Sequence, residues 1–501
     1  MSKYSDVEVI VPVMEWRDSR YNVIIHQEFI LLLRPMYKPF LVILFSVTLF
    51  SLSCRKDGFI TGKDAIVRFS ADTLFFDTLF TTTGSVTGAI KIVNANDQKL
   101  RLSDVRLMGG AQSYFKININ GATGPEQKDI EMEAGDSLYV FVAVHIDPGA
   151  GDLPFIVQDS IQVAFNGNQQ TIQLQAWGQN ANFLRNQKIS GHVTWNNARP
   201  YVILGGLQVD TNATLTIPKG CHVYFHADAP LIVDGTLQVQ GEKYDSTRVT
   251  FLSDRLDPPY RDFPGSWPGI YFRGNSTNNL LQYAVIRNAY QGIVAESPAT
   301  NANPKVILEQ CILSTIYDAG ILGDQSSIQA TNCLISDCGK NIVLGFGGQY
   351  QFTHCTAASY SNDYIAHTQP VLSISNFVVQ GGVAATAPLS ADFTNCIFYG
   401  GNGTVDNEVV VSKQGSDPFS VTFSNCLWKV KTAPAGVTTS QLIANTDPQF
   451  DSVNTARRLF DFHLKASSPA LNKGLPGAVN LDLDGLPRPV GLPDLGCYER
   501  P

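Results

Sequence analysis

The sequence has few charged residues and no block of basic ones. Asp, Glu, Lys and Arg make up 16% of the chain, and the formal net charge is -8. Proteins that bind nucleic acid usually carry clustered positive charge, and so do proteins held at a membrane by a polybasic face. The charge pattern therefore predicts no nucleic-acid partner.

Helix-favouring runs of Ala, Glu, Lys and Leu are also scarce, whereas Gly, Asn, Ser, Thr and the β-branched and aromatic residues are plentiful. The sequence lacks Gly-rich phosphate loops, Gly-x-Ser-x-Gly elbows and zinc-binding helices, which excludes the enzyme classes built on them. Its cysteines show no metal-binding spacing. We therefore predict an all-β protein without a metal or other cofactor.

The N-terminal region contains an apolar run that is short for a transmembrane helix. Residues 36–53, MYKPFLVILFSVTLFSLS, place one lysine before this run and small residues after it, directly ahead of Cys54. This order is typical of a signal peptide, and its end resembles a bacterial lipobox. The resemblance implies cleavage before Cys54, lipidation of its thiol, and anchoring to the outer membrane of a Gram-negative cell, on the periplasmic or surface face. Residues 1–35 then form a spurious or disordered extension. An uncleaved anchor or a buried helix is the alternative.

A polar tether, 54–64, leads into strand patterns that recur about every ten residues as far as Trp177. In YVFVAVHI, for example, Val140, Val142 and Val144 fall on one face because side chains alternate along a strand. Residues 65–180 are therefore predicted to form an immunoglobulin-like β-sandwich, without the cysteine pair of antibody domains.

The rhythm changes after this region to very short apolar triplets. LQV at 207, LTI at 215, VYF at 223 and LIV at 231 start eight residues apart. Three such steps match one coil of a parallel β-helix, in which each short strand stacks on its equivalent in the next coil. Residues 185–460 are predicted to form such a helix, and 461–501 a C-terminal capping segment.

A polar residue followed by cysteine recurs five times along the helix. The cysteines are Cys311, Cys333, Cys355, Cys396 and Cys426, and the first three are spaced by 22 residues. Asn332, Asn395 and Asn425 precede three of them, while Gln310 and His354 precede the other two. We predict that each pair marks a corner, with the cysteine in a continuous core row and the amides stacked in a ladder along the axis. Such buried thiols are expected to be reduced and inert.

The stretches ATLTIPKGCHVYFHADAPLIVDGTLQVQG, VTFLSD and GSWPGIYF resemble the opening coils of bacterial β-helix repeat proteins, and LDLDGLPRPVGLPDLGCYER resembles their terminal segment. The chain from about 190 to 501 thus resembles the right-handed parallel β-helix, or pectin-lyase-like, superfamily. This resemblance implies the fold but no single activity, because the superfamily includes lyases, hydrolases, adhesins and proteins without known catalysis.

Aligning successive coils brings polar side chains to one edge and to the neighbouring strand. At the edge lie Tyr290, Gln291, Tyr317, Asp318, Lys340, Asn362 and Asp363; across the next strand lie Glu296, Asp324 and His367. Asp318, Lys340 and Asp363 are candidate catalytic residues, since lyases need a base and hydrolases need two carboxyls. The other residues, apart from Asn362, are candidate ligand-binding residues, although turn-bracing tyrosines and a solvated ion pair explain the same pattern. A Pro-rich loop, 255–269, is a second candidate: it interrupts the coils and could cover a groove, or it could be a structural flap over the first coils.

The function favoured by these patterns is a non-catalytic binding or structural role at the cell envelope, directed towards glycans. The alternatives are a polysaccharide lyase or glycoside hydrolase acting in the groove, and a protein-binding adhesin. Ca²⁺ is expected only for a lyase. The expected partners are a polysaccharide and, through the lipid anchor, a membrane; the oligomeric state stays open.

Overall fold

The computed structural model describes residues 58–80, 87–145, 155–477, 479–488 and 491–501. The predicted extension, signal peptide and lipidated Cys54 lie outside these residues. Strands make up 53% of the structure and helices 2%, which confirms the predicted all-β class. The helical segments are single 3₁₀ turns at Gly110–Gln112, Tyr260–Asp262 and Thr455–Arg457. Within the described ranges, no helix is long and apolar enough to cross a membrane.

The first ten strands form two five-stranded sheets. They are β1 (Val67–Phe69), β2 (Thr73–Phe80), β3 (Gly88–Asn94), β4 (Leu100–Leu107), β5 (Phe115–Ile119), β6 (Ala122–Thr123), β7 (Glu126–Met132), β8 (Ser137–Val144), β9 (Phe155–Phe165) and β10 (Asn168–Gln179). One sheet has the order β1-β3-β8-β5-β6, and the other has the order β2-β10-β9-β4-β7. Ile90 and Val142 of the first sheet share one buried cluster with Leu102 and Ile161 of the second. The two sheets therefore enclose a common hydrophobic core.

Most of the chain between residues 182 and 444 builds one long parallel sheet. Its strands are β11 (Asn182–Ile189), β12 (His192–Thr194), β13 (Tyr201–Val209), β14 (Thr214–Pro218), β15 (His222–Phe225), β16 (Leu231–Val233), β17 (Thr236–Gln240), β18 (Val249–Ser253), β19 (Ile270–Phe272), β20 (Asn279–Gln282), β21 (Ala284–Arg287), β22 (Ile293–Glu296), β23 (Val306–Glu309), β24 (Ile312–Ser314), β25 (Ala319–Thr331), β26 (Leu334–Ser336), β27 (Lys340–Thr353), β28 (Thr356–Tyr360), β29 (Leu372–Ser375), β32 (Leu389–Thr394), β33 (Ile397–Gly401), β34 (Val409–Ser412), β35 (Phe419–Ser424), β36 (Leu427–Trp428), β37 (Thr438–Ser440) and β38 (Ile443–Ala444). A separate hairpin, β30 (Phe377–Gln380) and β31 (Val383–Thr386), is inserted between β29 and β32.

Strands three positions apart pair in parallel, as in β14 with β17, β15 with β18 and β16 with β19. The chain thus passes through three faces before it returns one strand spacing further along, which fits a parallel β-helix. We name the faces in the order of one coil: sheet A contains β14, β17, β20, β23, β32 and β35; sheet B contains β15, β18, β21, β24, β26, β28, β33 and β36; sheet C contains β16, β19, β22, β29 and β34. The long strands β25 and β27 bend, so that each contributes its first half to sheet C and its second half to sheet A.

The polar residue before each repeated cysteine forms the corner between sheets A and B. All five have left-handed backbone, with φ between 49° and 58°: Gln310, Asn332, His354, Asn395 and Asn425. The following cysteines are fully buried in one core cluster. All eight cysteines in the described ranges are free thiols. Burial raises the pKa of the Cys311, Cys333, Cys355 and Cys396 thiols well above its ordinary value, which keeps these thiols protonated and unreactive.

The corner amides donate to the C-terminal segment. Asn332 Nδ2 donates to Leu481 O at 2.6 Å, and Asn425 Nδ2 donates to Lys473 O at 2.8 Å. Asn395 exchanges two hydrogen bonds with the backbone of Leu475 and also approaches His354 Nε2 at 2.9 Å. Docking of the C-terminal segment therefore takes up most of the hydrogen-bonding capacity that a ladder between coils would use.

The C-terminal segment lies along the outward face of sheet B. Its antiparallel hairpin, β39 (Phe450–Asn454) and β40 (Leu459–Leu464), joins Leu334, Ile397 and Leu427 of sheet B in a second hydrophobic cluster. A buried ion pair joins Arg488 to Glu499 at 2.7 Å, and Arg488 also donates to the corner residue Asn332. Apolar contact and charge-assisted hydrogen bonds therefore fix this segment to the side of the helix.

Candidate functional site

The outward face of sheet C has an apolar floor. Tyr271, Val294, Leu322 and Val343 are register partners on neighbouring strands. Their neighbours along each strand point inward and are buried, so this row faces outward. The Tyr271 hydroxyl donates to Pro268 O at 3.0 Å, which fixes the ring along the floor.

Two tyrosines stand where the chain enters sheet C. The rings of Tyr290 and Tyr317 are stacked, with centroids 5.4 Å apart and planes inclined by 23°. The two residues are 47% and 57% exposed although their rings pack against each other. Gly265 of the Pro-rich loop packs against the Tyr317 side chain from the other direction, since a Cβ at this glycine would lie 3.3 Å from Tyr317 Cβ. The pair therefore presents a supported aromatic surface to solvent.

A polar network adjoins this pair at the edge of sheet C. Asp318 accepts a hydrogen bond from Gln291 Nε2 at 2.9 Å and an ion-pair contact from Lys340 Nζ at 2.9 Å. Partial burial acts to raise the pKa of Asp318, but the two donors outweigh it, and the pKa lies below its ordinary value. The structure thus brings five of the predicted edge residues together, with Asp318 as a carboxylate.

Two further predicted residues lie at the other end of the same strands. Glu296 of β22 and Asp324 of β25 are register partners, so their outward side chains start from neighbouring strands. Neighbouring strands in a sheet lie about 4.8 Å apart, so the two carboxylates are close to each other. Five residues along a strand span about 16 Å, so this pair and the Gln291 network lie at opposite ends of the floor. Partial enclosure raises the pKa of Asp324, although its side chain is exposed at the surface.

The remaining predicted residues lie elsewhere. His367 does not reach the groove: it is 2% exposed, and its Nε2 contacts the fully buried Glu408 carboxylate at 2.9 Å. Asp363 is exposed in the loop that follows β28. Asn362 faces a different recess on sheet B. The outward face of sheet C therefore carries seven of the ten candidates that the sequence places along a groove, and we call this strip of the face the groove.

The recess on sheet B has a volume of about 450 Å³ and lies between this sheet, the C-terminal hairpin and the Pro-rich loop. Its charged lining residues are Asp262, Arg287, Asp337, Arg457 and Arg458. Its aromatic lining residues are Tyr364, Phe460, Phe462 and Tyr498. Sequence reasoning placed Asp262 in a loop that covers a groove but missed the other charged residues, since their convergence depends on where the C-terminal hairpin docks.

Asp337 is a buried carboxyl beside this recess. It occupies the corner between sheets B and C with a φ of 49°, is 4% exposed, and accepts from Tyr360 N at 3.2 Å. Burial raises the pKa of Asp337 to about 7, against the lowering effects of that hydrogen bond and of Arg287. Its charge is therefore largely suppressed below neutral pH.

A wider trough of about 1050 Å³ lies on sheet A. Its outward rows carry amide and hydroxyl groups, as in Gln329, Gln351 and Ser390. Asp392 is its one charged lining residue among those that the structure describes. This trough has the capacity to hydrogen-bond a polar chain, but it lacks the exposed aromatic pair found on sheet C.

None of the described residues form a group of three or more His, Cys, Asp or Glu side chains suited to a metal ion. The Ca²⁺ expected for a lyase is therefore not assigned a site.

Comparisons with known proteins identify no family. A scan against protein-family models and a search of curated proteins both return no match. Among 34 matching chains of solved structures, one is a family 123 glycoside hydrolase from Clostridium perfringens, at 14% identity and a TM-score of 0.17. Another is the periplasmic chaperone SfaE, at 8% identity and a TM-score of 0.15. Each match covers 22% of this chain; the chain spans 25% of the hydrolase and 56% of the chaperone. Likeness at this level supports no functional conclusion.

Proposed function

We propose that the protein binds a glycan without catalysing its cleavage, and that the groove on sheet C holds the ligand. The observation that carries this proposal is the exposed, stacked pair of Tyr290 and Tyr317 beside the Gln291, Asp318 and Lys340 side chains. Ligand sites combine apolar and aromatic surface with a few fixed polar groups. A sugar ring offers both an apolar face for the tyrosines and hydroxyls for the amide, carboxylate and ammonium.

The electrostatics of Asp318 favour binding over catalysis. A general acid must hold a proton at the working pH, whereas the two donors to Asp318 keep it ionised. Lys340 is already engaged by the same carboxylate and would have to leave it to act as a base. These side chains are arranged to orient hydroxyl groups.

The setting of this activity is also part of the proposal. We infer a right-handed winding of the coils, an immunoglobulin-like arrangement of the two N-terminal sheets, and export followed by lipidation of Cys54. The signal-like sequence before Cys54 supports export. Two or more acyl chains would give stable attachment to the outer membrane.

The binding proposal is tested by affinity electrophoresis and calorimetry against a panel of neutral and acidic polysaccharides, comparing the wild-type protein with Tyr290→Ala and Tyr317→Ala. Either substitution should weaken binding by about tenfold or more, since stacked aromatic contacts contribute on the order of 1 kcal/mol beyond the area they bury. Tyr244→Ala is the matched control, because Tyr244 is 63% exposed away from the groove. Equal binding by all four proteins would refute the assignment of this groove.

A glycoside hydrolase is the second candidate function, and the observation that favours it is the pairing of Glu296 with Asp324. Carboxyls on neighbouring strands suit the separation of about 5 Å found in retaining enzymes, and the raised pKa of Asp324 suits a proton donor. Release of new reducing ends that is lost in both Glu296→Gln and Asp324→Asn would establish this function. Cleavage that produces unsaturated ends and depends on Lys340 would instead indicate a lyase.

A further inference from the structure

The recess on sheet B has the features of a second binding site, separate from the groove on sheet C. We propose that it binds the oxyanion, carboxylate or phosphate, of a small polar ligand through the guanidinium groups of Arg287 and Arg457. The sites lie on different faces of the coil, so this proposal does not depend on the glycan-binding proposal.

The first support is the state of the three arginines. Arg458 already has partners, because its Nη1 lies 3.1 Å from the Asp262 carboxylate and 2.9 Å from the Tyr364 hydroxyl. Its guanidinium also covers the Tyr364 ring at 5.0 Å. By contrast, the guanidinium groups of Arg287 and Arg457 donate no hydrogen bond to any residue in the described ranges. Two planar sets of donors in one recess are therefore left for a ligand.

The second support is the charge balance. Three arginines face two carboxyls in this recess, although the whole chain has a formal net charge of -8. One of these carboxyls, Asp262, is neutralised by Arg458. The other, Asp337, is held in the corner by the Tyr360 amide, and its burial suppresses its charge. The recess is thus locally positive, which favours an anion.

The third support is the surroundings of Arg287. Apolar side chains, including Leu334 and Phe462, line the recess together with the Tyr498 ring. Desolvation by these neighbours lowers the pKa of Arg287, and the fields of Asp262 and Asp337 only partly offset this effect. The residue nevertheless keeps an exposed surface, so a ligand can reach its guanidinium, whose fork geometry allows two parallel hydrogen bonds to an oxyanion.

The volume limits the ligand to a small molecule or to one end of a longer one. About 450 Å³ is near the lower end of the range for small-ligand sites. The hydroxyls of Ser314 and Ser336 and the Asn362 amide line the same space. They would hydrogen-bond the uncharged, hydroxyl-bearing part of the ligand.

The test is calorimetric titration of the purified full chain with glucose, glucuronate, glucose 6-phosphate and inorganic phosphate. We expect the charged ligands to bind at least tenfold more tightly than glucose and their affinity to fall as salt is raised. Stronger binding of glucuronate identifies a carboxylate as the source of the oxyanion, and stronger binding of either phosphate identifies a phosphate. Equal affinity for glucose and the charged ligands would overturn the proposal.

Two variants locate the site, and a third serves as control. Arg457→Gln, at an exposed position of the hairpin connection, and Arg287→Gln should each weaken binding of the preferred anion about tenfold or more. Arg185→Gln removes an exposed arginine from the first coil and should leave binding unchanged. Undiminished anion binding by folded Arg457→Gln protein would exclude this recess, even if Arg287→Gln failed to fold. Tyr290→Ala should not affect anion binding, which separates the two proposals.

Discussion

Replacing Asp337 by Asn should change how the stability of the protein depends on pH. Asp337 occupies a corner with left-handed backbone, a conformation that Asn tolerates better than most residues. The amide oxygen of Asn can still accept from Tyr360 N, as the carboxylate does at 3.2 Å. The substitution therefore removes the titrating group while preserving the shape and the hydrogen bond of the corner.

The expected magnitude follows from the pKa of Asp337, which burial raises from 3.8 in the unfolded chain to about 7 in the folded protein. Between these values the folded state holds a proton that the unfolded state has lost, so the free energy of unfolding falls as pH rises. A gap of about three units corresponds to about 4 kcal/mol, of which about 3 kcal/mol is lost between pH 5 and pH 8. The Asn variant has no such loss.

Urea unfolding followed by intrinsic fluorescence at pH 5 and pH 8 measures this difference. We expect the free energy of unfolding of Asp337→Asn, minus that of the wild type, to be about 3 kcal/mol larger at pH 8 than at pH 5. Asp363→Asn, which removes an exposed carboxyl, is the control: its free energy of unfolding should differ from that of the wild type by the same amount at both pH values. If the Asp337→Asn variant and the wild type respond identically to pH, the carboxyl is charged in the fold, and Arg287 rather than burial determines its state.

Three other substitutions test how the fold is held together. Lys305→Met should destabilise the protein by at least about 2 kcal/mol in urea unfolding, because the buried ammonium of Lys305 donates to three carbonyls at 2.7 to 3.1 Å. A variant as stable as the wild type would show that these carbonyls do not need the ammonium. Phe393→Ala should lower the free energy of unfolding by about 3 to 5 kcal/mol in the same assay, since the Phe393 ring is fully buried between two other phenylalanine rings whose centroids lie 4.8 and 5.4 Å away. A loss of stability below about 1 kcal/mol would contradict a packed aromatic stack. Asn395→Ala should speed amide hydrogen exchange around Leu475, which it holds by two hydrogen bonds; unchanged exchange would show that this anchor is dispensable.

The arrangement of the coils is largely encoded in short-range patterns. A cysteine spacing of 22 residues and an apolar triplet spacing of eight reflect one repeated unit, and the core row from Cys311 to Cys426 follows from that period together with strand alternation. The longer interval between Cys355 and Cys396 contains a loop and the β30–β31 hairpin. Alignment of successive coils was also enough to set Tyr290 beside Tyr317, because equivalent positions in a parallel β-helix are only one strand spacing apart.

Other features depend on contacts that no local pattern specifies. His367 points inward, where it pairs with the buried Glu408 carboxylate. Because Glu408 lies 41 residues further along the chain, the residue spacing within one coil does not reveal this pairing and places His367 on the outward face. Arg457 reaches the recess only because the C-terminal hairpin packs against sheet B. The repeat pattern predicts that the corner amides bond along the axis, whereas three of them donate to carbonyls of the C-terminal segment, and Asn395 also keeps an axial contact with His354.

The two proposed sites share one structural element, the corner between sheets B and C. Asp337 lies on the sheet B side of this corner and borders the recess, whereas Lys340, three residues later, lies on the sheet C side and binds Asp318. A change in the length of this corner would therefore shift both sites together. Substitutions of outward side chains on opposite sides should instead act independently, because they share no partner. The combination of Arg457→Gln with Tyr290→Ala is accordingly expected to lose anion binding and glycan binding by the same factors as the single variants. A coupling above about 0.5 kcal/mol would show that the recess and the groove form one continuous site.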